Sequence, residues 1–192
     1  MLQPRARNLL IPVHSIYNPV EDTLHPDGTP INPHKLFLAS TPYKGLEQTL
    51  EKFSALSAIF PQYELYIATY ARWDTNRKLP ARAIFLGSLP QKELLQHIRE
   101  SFCVFYPQSK RCETFGLVYA QSNAVGTPVL AHDFGAAREV LSDPDQLVDG
   151  NDLTAILNKI TAWQLLRPRT VARAAFRLKA VTARWHALLN EG

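Results

Sequence analysis

The sequence predicts an α/β protein, a doubly wound and mainly parallel sheet of about six strands with helices on both faces. Three observations carry this expectation. From residue 35 onward, short apolar runs alternate with segments of helical period. Each run is bounded by proline, glycine or a polar loop, as buried strands are. The segments between most runs are long enough for the crossover that neighbouring parallel strands require.

Residues 35–40, KLFLAS, form the first expected strand. Leu46, Leu50, Phe53, Ser57 and Phe60 then share one helical face. Residues 64–69 and 83–87 are the second and third expected strands. Residues 90–100 read as a helix with Pro90 in its first turn. The fourth strand is expected at 102–106, a helix at 115–125 and the fifth strand at 127–131. A short helix at 135–141 and a short sixth strand at 146–148 follow. Asn151 is placed to cap a helix running to Trp163. A last helix is expected from about Pro168 to about Asn190.

Ahead of this pattern, residues 1–34 carry Pro4, Pro12, Pro19, Pro26, Pro30 and Pro33. Proline at that density breaks helices and interior strands. The segment is expected to be an extended, linker-like arm with one short strand at 8–12. The expected organisation is this arm, a domain at 35–166, and a basic amphipathic helix at 167–192 packed on that domain. In the last segment Arg167, Arg169, Arg173, Arg177, Lys179 and Arg184 supply charge, while Val171, Leu178 and Trp185 recur every seven residues. A solvated basic face is the first reading of that helix, and contact with an anionic membrane surface is the alternative. The polar loop at 69–81 is expected at the surface.

Composition bounds the function. The chain has 192 residues, 46% hydrophobic and 20% charged, which suits one globular domain. No apolar stretch approaches membrane-spanning length. The first residues hold two arginines but only a short apolar patch, a poor secretory signal. Two cysteines, Cys103 and Cys112, argue against a disulfide framework; a buried strand thiol and a loop thiol, both reduced in a cytoplasm, are expected. A net charge of +4 does not point to nucleic acid but suits an anionic small molecule or an anionic membrane surface. His14, His25, His34, His97, His132 and His186 have no ligand spacing, so no metal is expected. The turn at 40–45 has one glycine, which argues against a dinucleotide fingerprint.

The chemistry concentrates in two places. Residues 107–131 read strand end, basic loop, Glu113, a small-residue turn at Thr114-Phe115-Gly116, helix, and then Gly126-Thr127-Pro128 before a strand. This order puts a carboxylate and a helix start at the carboxyl end of a strand, where open parallel sheets bind ligands. Unpaired N–H groups at a helix start attract phosphate. The second place is Lys44-Gly45, after the first strand and before a helix, where an ammonium group can neutralise phosphate.

These residues resemble the signature of retaining glycosyltransferases of family 4, which have the GT-B fold. Glu113, Phe115, Gly116 and Gly126-Thr127-Pro128-Val129 match its pattern, and Gln121 stands where the pattern has a second glutamate. Ser40-Thr41-Pro42-Tyr43-Lys44-Gly45-Leu46 approaches a family element whose basic residue binds the nucleotide diphosphate. No arginine stands just before it, where the family usually has one. The resemblance implies a single Rossmann-like GT-B half that binds a nucleoside diphosphate sugar and needs no metal. In it Glu113 contacts the sugar and serves as the catalytic carboxylate. Lys44 and Gly45, with the hydroxyls of Ser40 and Thr41, meet the diphosphate. Backbone at Thr114, Phe115, Gly116 and Leu117 faces the phosphates, Leu89 lies near the base, and Gln121 takes the ribose. Asp133, Gly135, Ala136 and Glu139 are read as structural support. Asn18 to Asp22 resemble an element near the start of the family's second domain.

The resemblance further implies a partner, an N-terminal GT-B domain in cis or in trans, without which this chain is not expected to be active. It also implies a cytoplasmic location, peripheral to a membrane if the basic helix contacts lipid. Two alternatives stay open. One is a non-catalytic binding or assembly module that has lost tight donor binding. The other, remoter, is a nucleotide-sugar epimerase of the same fold.

Overall fold

A computed structural model describes residues 14–69 and 78–190. The strand expected at 8–12 and most of the polar loop at 69–81 lie outside the described residues. Within them, six strands form one sheet: β1 (Asn32–Ala39), β2 (Glu64–Ala68), β3 (Ala83–Gly87), β4 (Ser101–Tyr106), β5 (Val129–His132) and β6 (Leu147–Val148). Their order is β3-β2-β1-β4-β5-β6, and every neighbouring pair is parallel. The chain winds outward from β1 to one edge, then returns beside β1 with β4 and winds to the other edge. The strand order therefore reverses between β1 and β4, where a crevice opens at the carboxyl rim.

Helices α1 (Leu46–Ile59), α2 (Gln91–Arg99), α3 (Leu117–Ala124), the short α4 (Ala137–Val140), α5 (Leu153–Leu165) and α6 (Leu178–Asn190) complete the structure. The central strands read as near-continuous apolar runs because both sheet faces are covered. Leu36, Phe37, Leu38, Cys103, Val104 and Phe105 are all essentially inaccessible. Burial pushes the Cys103 thiol up to about 12, so it is an inert core group, while Cys112 is exposed in a loop.

Most element ends fall within two residues of expectation, and three differences go further in consequence. Asp152, not Asn151, caps α5: its carboxylate accepts from the backbone N–H groups of Thr154 and Ala155. Both residues are good caps, and only the backbone decides between them. The last helix begins at Leu178 rather than near Pro168. The intervening residues are irregular apart from a single 3-10 turn at Ala174–Phe176, and arginines in them reach backbone carbonyls instead. Arg167 donates to the carbonyls of Ser101, Phe102 and Gly126, and Arg173 to that of Leu141. Val171, assigned to the seven-residue repeat, therefore lies outside the helix and is 63% exposed. The first strand begins at Asn32, inside the proline-rich arm. Another part of that arm is fastened down. Val20 is buried and bridges to the segment before α6, with Val20 N–H donating to Phe176 and Leu178 N–H donating to Val20. The Tyr17 ring meets Phe176 edge-on, and its hydroxyl donates to Glu139.

A polar cluster at the amino rim carries a pH dependence. Lys35 pairs with Glu100 at 2.7 Å, and His97 stacks on Phe37. Burial, and then the Lys35 charge, hold the His97 imidazole below its usual range. A histidine depressed by folding contributes stability that is complete above its unfolded pKa of about 6.5 and is lost as pH falls below it. Thermal unfolding is thus expected at a lower temperature at pH about 5.5 than at pH about 7.5. His97→Gln should shrink that difference; an undiminished difference would show that the loss arises elsewhere.

Candidate donor site at the strand-order reversal

Lys44 follows β1 and Glu113 follows β4, 69 positions apart in the chain, yet Lys44 Nζ lies 2.9 Å from Glu113 Oε2. The sheet order brings them together, because β1 and β4 are neighbours whose carboxyl ends open on the same rim. The pair is half-shielded, with side chains 37% and 15% exposed.

Tyr106, the last residue of β4, braces it from beneath. Its hydroxyl oxygen is 2.9 Å from the Lys44 carbonyl, 3.1 Å from Glu113 Oε1 and 3.2 Å from Ser40 Oγ. The phenol has one proton, so it donates to one acceptor at a time. Burial raises the phenol well above its ordinary pKa; the Ser40 hydrogen bond opposes this, and the Glu113 charge adds to it. The group is therefore a permanent donor at neutral pH. From sequence Tyr106 is a strand residue with no expected role in the site. The available signal was a polar-tipped aromatic closing a strand that abuts the reversal.

Two helices start at this rim, and each begins on a left-handed glycine. Gly45 (φ 83°) precedes α1 and Gly116 (φ 77°) precedes α3, and neither start has a side-chain cap. A side chain at either position meets an obstacle as well as backbone strain. A Cβ at Gly45 would lie 2.7 Å from the Gln108 side chain, and one at Gly116 would lie 2.7 Å from the Tyr119 ring. With no side chain on their N-cap residues, both positive helix ends are left open to an external anion.

The other expected residues fall as follows. Ser40 and Thr41 lie at the end of β1 beside Tyr106, and the buried Thr41 hydroxyl has no hydrogen-bond partner among the described residues. Thr114 is exposed, Phe115 is buried against Tyr17 and Phe176, and Leu117 is 42% exposed at the first turn of α3. Gln121 is half-buried on α3. Leu89 follows β3, across β2 from β1, and packs partly into the core. The Gly135-Ala136 turn supports Glu113 directly: Ala136 N–H donates to the Glu113 carbonyl.

Among the described residues, no group of three His, Cys, Asp or Glu side chains is arranged to hold a metal ion. No described helix is long and apolar enough to cross a membrane. A cavity of about 450 Å³ opens at the opposite, amino rim, where Arg99, Gly126 and Arg167 line it, far from the Lys44–Glu113 pair.

A six-stranded parallel sheet in this order, with a cation, a carboxylate and two uncapped helix starts at its reversal, defines a Rossmann-like domain with an anion-receptive rim. Residues 37–175 match the sequence model of the family described as Glycosyl transferases group 1, and the chain belongs to that family. It is 33% identical over 146 residues to a phosphatidyl-myo-inositol mannosyltransferase of Mycolicibacterium smegmatis, covering 71% of this chain and 38% of that protein. Its fold superposes on S. aureus TarM with a TM-score of 0.71 at 16% identity, over 92% of this chain and 39% of that one. It also superposes on the pneumococcal O-GlcNAc transferase GtfA, in a structure with UDP and GlcNAc. There the TM-score is 0.66 at 16% identity, over 92% of this chain and 38% of that one. The fold is thus one Rossmann-like half of the GT-B architecture, and the chain spans about two-fifths of the length of these proteins.

Proposed function

We propose that this chain is the nucleotide-sugar-binding half of a retaining glycosyltransferase of family 4. It would serve transfer of a hexose-type sugar from a nucleoside diphosphate sugar to an acceptor. The single observation that carries the reading is the meeting of Lys44 and Glu113 at 2.9 Å between two uncapped helix starts. A leaving diphosphate needs positive charge where negative charge develops, and Lys44 with the two helix ends offers it. The sugar, as its bond to phosphate lengthens, gains oxocarbenium character, which the carboxylate of Glu113 stabilises. Arrival of a diphosphate gives Lys44 a new partner and frees Glu113 for sugar hydroxyls, with Tyr106 still holding its other oxygen.

The acceptor and its binding domain lie outside this reading's residues, so activity requires a second GT-B half, in cis or in trans. A cytoplasmic setting suits a nucleotide-sugar donor, and peripheral membrane contact would rest on the basic residues of 167–184, of which only Lys179 and Arg184 lie in α6. A second reading, a non-catalytic binding module, is favoured by one feature: Gln121 replaces a charged ribose acceptor with a neutral one, and charge-assisted hydrogen bonds are roughly twice as strong.

Calorimetric titration with UDP, GDP and their sugars separates the two. The transferase reading expects binding to at least one nucleotide sugar, and Glu113→Gln should weaken the sugar conjugate more than the free diphosphate. No heat with any of them would favour the binding module.

A further inference from the structure

We propose that Lys110 and Arg111 form a second anion subsite on the carboxyl rim, beside Lys44, that takes a phosphoryl group. The two residues face a cavity of about 400 Å³ lined also by Tyr43, Gly45, Glu47 and Gln48. That volume falls in the range of ~300–1,000 Å³ usual for small-molecule sites.

The loop that carries them is held by two glutamines whose side chains are almost fully buried. Gln108 is 3% exposed and Gln48 is 8% exposed. Gln108 Oε1 accepts from the backbone N–H groups of Lys110 at 3.1 Å and Arg111 at 2.9 Å, and its Nε2 donates to the Arg111 carbonyl. Gln48 Oε1 accepts from Ser109 N–H at 2.8 Å, and its Nε2 donates to Ser109 Oγ at 3.0 Å. Ser109 Oγ in turn donates to Asn151. Gly45 lets Gln108 approach, since any side chain there would strike it.

This is a large investment of buried polar groups in one exposed turn. Buried amides of this kind stabilise only when fully paired, and here their partners are the backbone of the basic loop. The charged ends themselves remain unspent. Both side chains are exposed, and among the described residues neither makes an ion pair. Among the described lining residues two cations face one carboxylate, Glu47, and the positive end of the fourteen-residue α1 opens on the same space. The backbone N–H groups of the turn are already taken by Gln108. An anion is therefore met by the ammonium and the guanidinium, whose planar fork matches phosphate oxygens two at a time.

Assigning the subsite's anion to a substrate of this enzyme class rests on the transferase reading above; the subsite itself does not. Two sources share the chemistry: the diphosphate of the donor, or a phosphate carried by the acceptor.

The test is calorimetric titration of inorganic pyrophosphate, glycerol phosphate, UDP and GDP into the wild type, Lys44→Ala and the double variant Lys110→Gln/Arg111→Gln, at low ionic strength. Both replaced side chains are exposed, and circular dichroism and thermal unfolding of the variant should match the wild type. The expected result is pyrophosphate binding to the wild type that the double variant weakens by about tenfold or more. A parallel loss for UDP or GDP assigns the site to the donor. Loss for pyrophosphate and glycerol phosphate together, with nucleotide affinity kept, assigns it to the acceptor. Pyrophosphate binding that depends on the pair, with no nucleotide bound by the wild type, sustains the subsite and sinks the transferase reading. Absence of pyrophosphate binding to the wild type, or binding unchanged in the double variant, overturns the subsite.

Discussion

Replacing Gln146 with alanine is expected to lower the stability of the fold by about 3 kcal/mol. The residue is inaccessible and ties three separate elements together. Its Oε1 accepts from Val129 N–H and from Asn123 Nδ2, both at 2.8 Å, and its Nε2 donates to Asn123 Oδ1 at 3.0 Å. Alanine leaves the β5 amide and part of the Asn123 amide facing a void. An unsatisfied buried group costs about 1–3 kcal/mol, and the lost volume adds to that. Denaturant unfolding would show a lower midpoint at unchanged slope. Gln91→Ala, on the exposed face of α2, should change stability by less than about 0.5 kcal/mol. A Gln146 variant as stable as that control would contradict the network's role.

Replacing Lys44 with alanine is expected to weaken nucleoside diphosphate binding by about 10- to 100-fold. A hydrogen bond to a charged group contributes about 1.5–3 kcal/mol, and each 1.4 kcal/mol is a factor of ten. Folding should change far less, because the ion pair is partly solvated and such pairs contribute about 0–1 kcal/mol. Glu113 keeps its hydrogen bond from Tyr106 in the variant. Calorimetry with the diphosphate that the wild type binds, paired with thermal unfolding, separates the two effects. Intact affinity in a variant of normal stability would remove Lys44 from the site.

Much of the fold was legible because both faces of the sheet are covered. A strand buried on two sides must be an apolar run, so β1 and β4 announced themselves, and their spacing left room only for crossovers. The rim pair was legible for a different reason. Glycines at helix starts, a lysine beside one and a glutamate before the other are local signals, and the parallel topology does the rest. What escaped notice depends on contacts between distant positions. Nothing in the neighbourhood of Gln146 marks it as buried; it becomes so because Asn123, 23 residues earlier, faces it. Gln48 and Gln108 look like ordinary polar residues until α1 and the loop after β4 are brought together. Tyr106 reads as one more strand aromatic, and only the placement of Lys44 and Glu113 on either side gives its hydroxyl a task. The late start of α6 has a similar cause. α-Helical propensity through 168–177 is overridden when Arg167 and Arg173 find backbone carbonyls and Val20 bridges to Arg177, just after the 3-10 turn at Ala174–Phe176.

The central claim is that Lys44 and Glu113 act on one bound molecule. A double-mutant cycle tests it most directly, with Lys44→Ala, Glu113→Ala and the double variant each titrated with the nucleotide sugar that the wild type binds. The account predicts a coupling of at least about 1 kcal/mol between the two substitutions, as expected for residues sharing one ligand and one ion pair. Losses that add to within about 0.5 kcal/mol would mean that the two groups serve separate places, and would contradict it.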